Sequence, residues 1–327
     1  MLAYKTELSH CSSFEKVSAQ EVISDLRKQE VEILTEERLT KVINDIPNPT
    51  TYIGHEPSGA LSIGNLAGSL PVLKLARHGF HAIILLADLH ALANDKGELG
   101  EIQDFARRDQ DMFERVSRKM GIGGKIEYRF GTEFEDQKYF IQMLRLAKLV
   151  NFTQAEKSMD EISRKSVARM TSSAIYPLMQ VLDIGVLGVN VAVGSIDQRK
   201  VHVLAIENLK KLGFATPVAV HNRVILQGID GKRKMSKSFA NTIDLDETQD
   251  SLEKKIKKTY CSPGEVEINP ILGWYKALLF PLSDLPFRFG EKEARNYSEL
   301  ESVWRKKQVS PQELKSAAVR DLGNVIL

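Results

Sequence analysis

Apolar residues recur at helical spacing at Val17, Val22, Ile23 and Leu26, and again at Ile33, Leu34, Leu39 and Val42, which predicts two helices over residues 14–43. The turn cluster NDIPNPT (44–50) closes that segment, and the pattern then changes. TYIG (51–54) reads as a short strand, EPSGALS as a Gly/Pro loop and Ile63–Arg77 as an apolar helix. HAIILLAD (81–88) is an unbroken apolar run of the kind that fills a parallel strand buried on both faces. A charged amphipathic helix over 99–120, a strand at 125–130 and a largely helical stretch over 135–187 follow. Strands at 189–194 and 217–221 flank a helix at 197–212. Strands thus alternate with helices from 51 to 221, which predicts an α/β fold with a doubly wound parallel sheet and a helical insertion. Beyond residue 240 no strand is expected, and helices are placed at 247–258, 270–280, 298–307 and 311–325. The division that follows is an N-terminal helical segment (1–45), a Rossmann-like domain (46–240) with its insertion near 130–187, and an all-helical C-terminal domain (241–327).

Composition narrows this only a little. The 327 residues are 43% hydrophobic and 27% charged, which suits a globular protein with a substantial core. A net charge of +2 commits the whole surface to no polyanion, though local basic patches can still do so. Two cysteines, Cys11 and Cys261, exclude a disulfide scaffold and a Cys-rich zinc site. No apolar run reaches the roughly 18 residues of a membrane helix, and the first residues lack a signal-peptide pattern. A soluble cytoplasmic enzyme is therefore expected.

Two loops carry candidate chemistry. In Tyr52-Ile53-Gly54-His55-Glu56-Pro57-Ser58-Gly59 a strand runs into a Gly/Pro loop, which feeds a helix through Ser62-Ile63-Gly64-Asn65. A helix N-terminus offers unpaired N–H groups and a positive dipole end, and Gly64 lets a ligand approach the backbone. Ser62 and Asn65 could add donors for phosphate oxygens; an ordinary strand–turn–helix junction would look the same. The second loop is Lys232-Arg233-Lys234-Met235-Ser236-Lys237-Ser238. Four cations and two hydroxyls after a flexible turn suit a triphosphate whose pyrophosphate is leaving, more than a merely solvated basic loop. A third feature lies at 176–183, where Tyr176, Gln180 and Asp183 share one face of a helix at i, i+4 and i+7. Such a stripe is either a satisfied core network or a ligand site, and the cost of an unpaired buried carboxylate favours the site.

The KMSKS string, late in a parallel α/β domain with a Gly-containing loop–helix early in it, resembles the class I aminoacyl-tRNA synthetases. Their usual early signature is His-Ile-Gly-His; here both histidines are replaced, and the Ser-Ile-Gly-Asn form is similar to one found in bacterial tryptophanyl-tRNA synthetases. The stretches YIGHEPSG, IILLADLHALANDKGEL, YPLMQVLD, VNVAVG, DQRKVH and IDGKRKMSKS together resemble archaeal and eukaryotic tyrosyl-tRNA synthetases.

That resemblance implies a tyrosine–tRNA ligase that takes L-tyrosine, ATP with Mg²⁺ and tRNA(Tyr), with no permanent cofactor, no protein-bound metal and no membrane. By similarity, Tyr52 and Asp183 hold the substrate hydroxyl, Tyr176, Gln180 and Gln198 hold its amino end, and Glu56 joins the pocket. Gly54, Gly64, Ser62, Asn65, Met235, Ser236 and Lys237 take ATP. Lys234 and Lys237, with Ser62 and Asn65, form the catalytic set. Arg199 contacts the acceptor stem, Phe289 stacks on the first anticodon base and Glu313 stands where an acidic residue hydrogen-bonds that base. The resemblance also implies a homodimer joined through residues near 130–165. His90 and His202 read equally as packed core histidines, and nothing in the sequence accounts for His55. The rivals are a tryptophanyl-tRNA synthetase and a synthetase-like RNA-binding or adenylate-forming protein that charges no tRNA. A dehydrogenase is disfavoured because no strand leads into G-x-G-x-x-G with an acidic residue at the right distance.

Overall fold

The computed structural model describes residues 17–158 and 170–327; Cys11 and the first residues of the expected N-terminal helix lie outside them. In chain order the first elements are α1 (Ala19–Leu26), β1 (Val31–Leu34), α2 (Glu36–Asp45), β2 (Thr50–His55), α3 (Ile63–Arg77) and β3 (His81–Leu86). Next come α4 (Asp88–Ala93), α5 (Leu99–Lys119), β4 (Ile126–Phe130), α6 (Gln137–Ala147), α7 (Phe152–Ser158), α8 (Ser172–Val186), β5 (Val191–Ser195), α9 (Arg199–Asn208) and β6 (Val218–Asn222).

The six strands form one sheet in the order β1-β6-β5-β2-β3-β4. β2 to β6 are mutually parallel, and β1 is added antiparallel at the edge, Val31 facing Asn222 and Leu34 facing Ala219. Strand order reverses beside β2, between β5 and β3. This is the doubly wound arrangement, and its switch point opens at the carboxyl ends of β2 and β5. The apolar run of β3 is buried throughout from Ala82 to Leu86, as a central strand covered on both faces requires.

Two sequence expectations are corrected. Ile33 and Leu34 belong to a strand, not to a second N-terminal helix. Thr35, at φ 64°, breaks the chain there, and VEIL is too short to pay for helix nucleation but long enough to close the sheet edge. The C-terminal region also contains strands: β7 (Phe287–Phe289) and β8 (Lys292–Ala294) form a hairpin turned by Gly290 at φ 61°. It sits among α10 (Gln249–Lys258), α11 (Pro270–Trp274), α12 (Phe280–Leu282), α13 (Tyr297–Arg305) and α14 (Pro311–Ile326). α11 runs into α12 through a π-helical stretch, Tyr275–Leu279, whose residues are almost all buried. Leu252, Trp274, Leu300, Trp304 and Leu322 belong to the same apolar cluster as Leu66, Leu70 and Ile84 under the sheet. The C-terminal region therefore packs on the helices that cover the sheet: the π-helical stretch meets α3 and α14 meets α5, in one continuous core. A second apolar cluster, holding Tyr52, Leu85, Tyr139 and Leu182, lies on the sheet's other face.

Candidate active site

At the switch point lies a cleft of about 320 Å³. One wall is the end of β2, where alternation sends Tyr52 and Gly54 to one face of the sheet and Ile53 and His55 to the other. Gly54 is obligatory: a Cβ there would stand 2.7 Å from the Tyr52 hydroxyl. Tyr176 and Gln180 line the opposite wall from α8, and Gln198 reaches in from the short turn after β5. The sequence had placed Tyr176, Gln180 and Asp183 on one helical face, and α8 carries all three. The carbonyl oxygens of Gln180 and Gln198 are buried with no partner among the described residues, two acceptors open to a donor. Glu56 also lines the cleft; Asn94 donates to its carboxylate at 2.8 Å, and burial raises its pKa.

Asp183 sits deeper. It is fully buried, and its Oδ1 is 2.7 Å from the Tyr139 hydroxyl, which also lies 2.8 Å from the Met179 carbonyl. Its Oδ2 has no hydrogen-bond partner among the described residues and stands 3.4 Å from His90 Nε2. Burial, reinforced by the Glu135 carboxyl, pushes the Asp183 pKa well up. Burial and the nearby Asp88 charge likewise raise Glu135, while burial holds His90 down at about 4. The His90 ring meets Tyr176 edge-on, with centroids 4.8 Å apart. His90, Glu135 and Asp183 bring donor atoms within 4.8 Å of one another, a set that could also take a metal ion. Sequence reasoning set His90 aside and missed Glu135 and Tyr139. The available signal was position: Glu135 follows the carboxyl end of β4, where ligands of open α/β sheets bind.

The cleft's other end is the start of α3. Here Ser62 and Asn65, expected as phosphate donors, also cap the helix. Ser62 is the N-cap: its N–H and hydroxyl donate to Asn65 Oδ1, both at 2.9 Å, and its Oγ accepts from Asn65 N at 3.4 Å. The two polar side chains are engaged with each other in capping the helix, and only the Asn65 Nδ2 hydrogens remain uncommitted among these contacts. Gly64 keeps the approach open, since a Cβ would be 3.3 Å from Ser62 Oγ and 3.5 Å from Met235 Sδ.

The basic loop folds over this same end. Ile63 N–H donates to Ile243 O at 2.9 Å and Leu245 N–H to Leu61 O at 2.7 Å, stitching the strand-like segment after KMSKS to the entry of α3. Within the loop, Asn241 Oδ1 accepts from Ser236 N at 2.9 Å, and Arg233 stacks over Phe239 at 4.2 Å. The Lys237 ammonium lies 3.4 Å from where a Gly59 Cβ would be, so the two sequence motifs meet across the cleft mouth. Neither Lys234 nor Lys237 has an ion-pair partner among the described residues, and both are exposed. Facing Lys237 on α5 is Asp109, 1% exposed, its Oδ1 without a partner among the described residues. Burial pushes its pKa up to about 7, partly offset by the charges of Lys237 and Arg108. Asp109 is a third residue the sequence did not single out.

The RNA-facing expectations fare differently. The Arg199 guanidinium is half-exposed and paired with Glu32 at 3.0 Å. Phe289 is fully buried against Tyr275, with ring centroids 5.0 Å apart, so it packs the C-terminal core and offers no open face to a base. Glu313 accepts from Ser310 N at 2.8 Å and closes the capping box of α14, which lowers its pKa.

Comparison with known proteins gives a consistent set of likenesses. Residues 47–325 match the family described as tRNA synthetases class I (W and Y). A tyrosine–tRNA ligase of Methanosarcina mazei is 37% identical over 309 residues, covering 92% of this chain and 96% of its own. The crystal structure of tyrosyl-tRNA synthetase complexed with L-tyrosine from Archaeoglobus fulgidus superposes with a TM-score of 0.82 at 36% identity, covering 93% of this chain and 97% of that one. A tryptophanyl-tRNA synthetase of Aeropyrum pernix shares the fold, with a TM-score of 0.70 at 18% identity over 94% of this chain and 87% of its own.

Proposed function

The chain belongs to the class I tRNA synthetases of the tryptophan and tyrosine family and is a tyrosine–tRNA ligase, and we propose how its cleft performs that reaction. One observation carries the assignment of ends: a single cleft has unpartnered amide oxygens midway, a buried tyrosine–histidine–carboxyl floor on one side, and on the other a helix N-terminus with the Lys237 ammonium near Gly59 at its mouth. An amino acid with a phenol at one end and an ammonium at the other satisfies the first two. The ammonium donates to Gln180 and Gln198 beside Tyr176, with Glu56 at the rim. The hydroxyl reaches Tyr52 and Asp183, the latter through the space His90 now borders.

The substrate carboxylate then points toward the start of α3. ATP lies across Gly54 and Gly64, and the tyrosine carboxylate attacks the α-phosphate in line while pyrophosphate leaves. Charge grows on the departing phosphates, where Lys234 and Lys237 stand unpaired, and Met235 and Ser236 shape the loop around them. Magnesium enters with ATP, held by its phosphates. In the second step a hydroxyl of the tRNA's terminal ribose takes the tyrosyl group and AMP leaves. The chain supplies positioning and electrostatics, with no covalent intermediate on a side chain. With Ser62 and Asn65 engaged in the cap, the helix N-terminus and the lysines carry the phosphate stabilisation.

The chain pairs as a homodimer through α6, α7 and the start of α8, where Phe140, Leu144, Phe152 and Met170 are each more than half exposed. Residues 46–240 act as the catalytic unit and 241–327 as the anticodon-reading unit, with Arg199 at the acceptor stem. The protein works in the cytoplasm. Pyrophosphate exchange with each of the twenty amino acids tests the reading. Tyrosine alone should drive exchange. Exchange driven best by tryptophan would contradict it, and none with any amino acid would favour a non-charging RNA-binding protein.

A further inference from the structure

His55 stands on the nucleotide side of the cleft. It leaves β2 on the face opposite Tyr52 and lines the cleft with Gly64, Asn65 and Gly68 of α3. Its ring leans on Phe113 of α5, with centroids 5.0 Å apart. Its Nε2 is 2.8 Å from Ser69 Oγ.

The direction of that last bond follows from the next one. Ser69 has a single hydroxyl hydrogen, and it is given to the Asn65 carbonyl at 2.8 Å. The Ser69 oxygen can then only accept, so His55 donates through Nε2–H. A neutral imidazole with its hydrogen on Nε2 presents a bare lone pair at Nδ1, and that atom has no partner among the described residues. Burial keeps the ring neutral by lowering its pKa to about 4. A neutral ring with an open lone pair repels phosphate oxygens and attracts an N–H or O–H. Ser69 is fully buried and sits one helical turn past Asn65, so the orientation of the ring is tied to the first turn of α3.

We propose that His55 binds the adenosine part of ATP, accepting at Nδ1 a hydrogen bond from a ribose hydroxyl or from the 6-amino group. The role is distinct from that of the signature histidines this chain lacks, because phosphate calls for a donor and His55 offers an acceptor. It rests on the cleft being the adenylate-forming site.

The test is tyrosine-dependent pyrophosphate exchange with ATP, 2′-deoxyATP, 3′-deoxyATP and purine riboside 5′-triphosphate, using the wild type and His55→Phe. Phenylalanine keeps the contact with Phe113 and removes both nitrogens. In the wild type, one analogue should lose about 3- to 10-fold in kcat/KM for the nucleotide, and which one identifies the donor. His55→Phe should lose a similar factor with ATP and show no further loss with that analogue, while KM for tyrosine stays unchanged. Ser69→Ala, a helix-favouring change that frees the ring orientation, should show a smaller loss confined to ATP and serves if the phenylalanine variant does not fold. Equal responses of wild type and variants to all three analogues would overturn the proposal. Absence of exchange by the wild type with any amino acid would instead overturn the reading of the site on which the proposal rests, and the proposal with it.

Discussion

At the residue scale, the proposed mechanism assigns selectivity to the buried Asp183 carboxyl, and the buried Asp109 carboxyl carries a pH dependence of stability. Phenylalanine differs from tyrosine by one hydroxyl. An apolar slot separates the two weakly, whereas phenylalanine bound at this floor would leave Tyr52 and the unpartnered Asp183 Oδ2 unpaired. Changing Asp183 to Ala should cost tyrosine more than phenylalanine and shrink the kcat/KM ratio by about 10- to 100-fold, measured by exchange kinetics with both amino acids. A ratio that survives intact would remove Asp183 from hydroxyl reading. Asp109 gives a stability signature. Its folded pKa, about 7, lies above the ordinary carboxyl value of 3.8. Between those values the unfolded chain is ionised while the folded one keeps its proton, so folded protein binds more protons and stability falls as pH rises through this window. Asp109→Asn removes that slope and should gain roughly 2 kcal/mol on the wild type between pH 5 and pH 8 in urea unfolding. Parallel pH profiles for the two proteins would contradict it. The stripe Tyr176–Gln180–Asp183 was legible because helical spacing is local. Glu135, Tyr139 and Asp109 were not, because only the fold brings α5 and the loop into α6 close to the cleft.

At the element scale, the strand–loop–helix of β2 and α3 and the KMSKS loop are far apart in sequence and joined by backbone bonds in space. Periodicity located each of them. It could not show that Ser62 and Asn65 close a capping box, since the same two side chains serve equally as caps or as phosphate donors until their partners are seen. The same ambiguity placed VEIL in a helix: four residues carry too little pattern to separate the two periods, and the pairing with β6 decided it. The hairpin at 287–294 escaped for a similar reason, its strands being three residues each. Lys237 lies at the mouth of the cleft beside Gly59, and in the proposed mechanism it acts on charge that grows in the transition state. Lys237→Ala should therefore lower the adenylation rate on the order of 100-fold and leave KM for tyrosine nearly unchanged, as single-turnover and steady-state measurements can separate. An unchanged rate with weaker tyrosine binding would assign the lysine a different role.

At the scale of the whole molecule, the doubly wound sheet was legible from the alternation of buried strands and helices, and the likeness to tyrosine–tRNA ligases spans nearly the entire chain. The insertion presents Phe140 (56% exposed), Leu144 (54%) and Phe152 (68%), a patch better suited to a second copy than to water. Leu144→Glu should convert a dimer into monomers with a helical signal like that of the wild type, read by sedimentation equilibrium; a dimer that persists would place the interface elsewhere. The C-terminal helices share the core of the sheet, so a tRNA bound by both regions would meet one continuous body. The central claim is that this body makes tyrosyl-tRNA. The most direct measurement is charging of total tRNA with labelled tyrosine and with labelled tryptophan, with the ester's amino acid identified after alkaline release. Tyrosine should appear on tRNA, dependent on ATP, and tryptophan should not. Tryptophan on the tRNA, or tyrosine-dependent exchange with no charged product, would contradict the account.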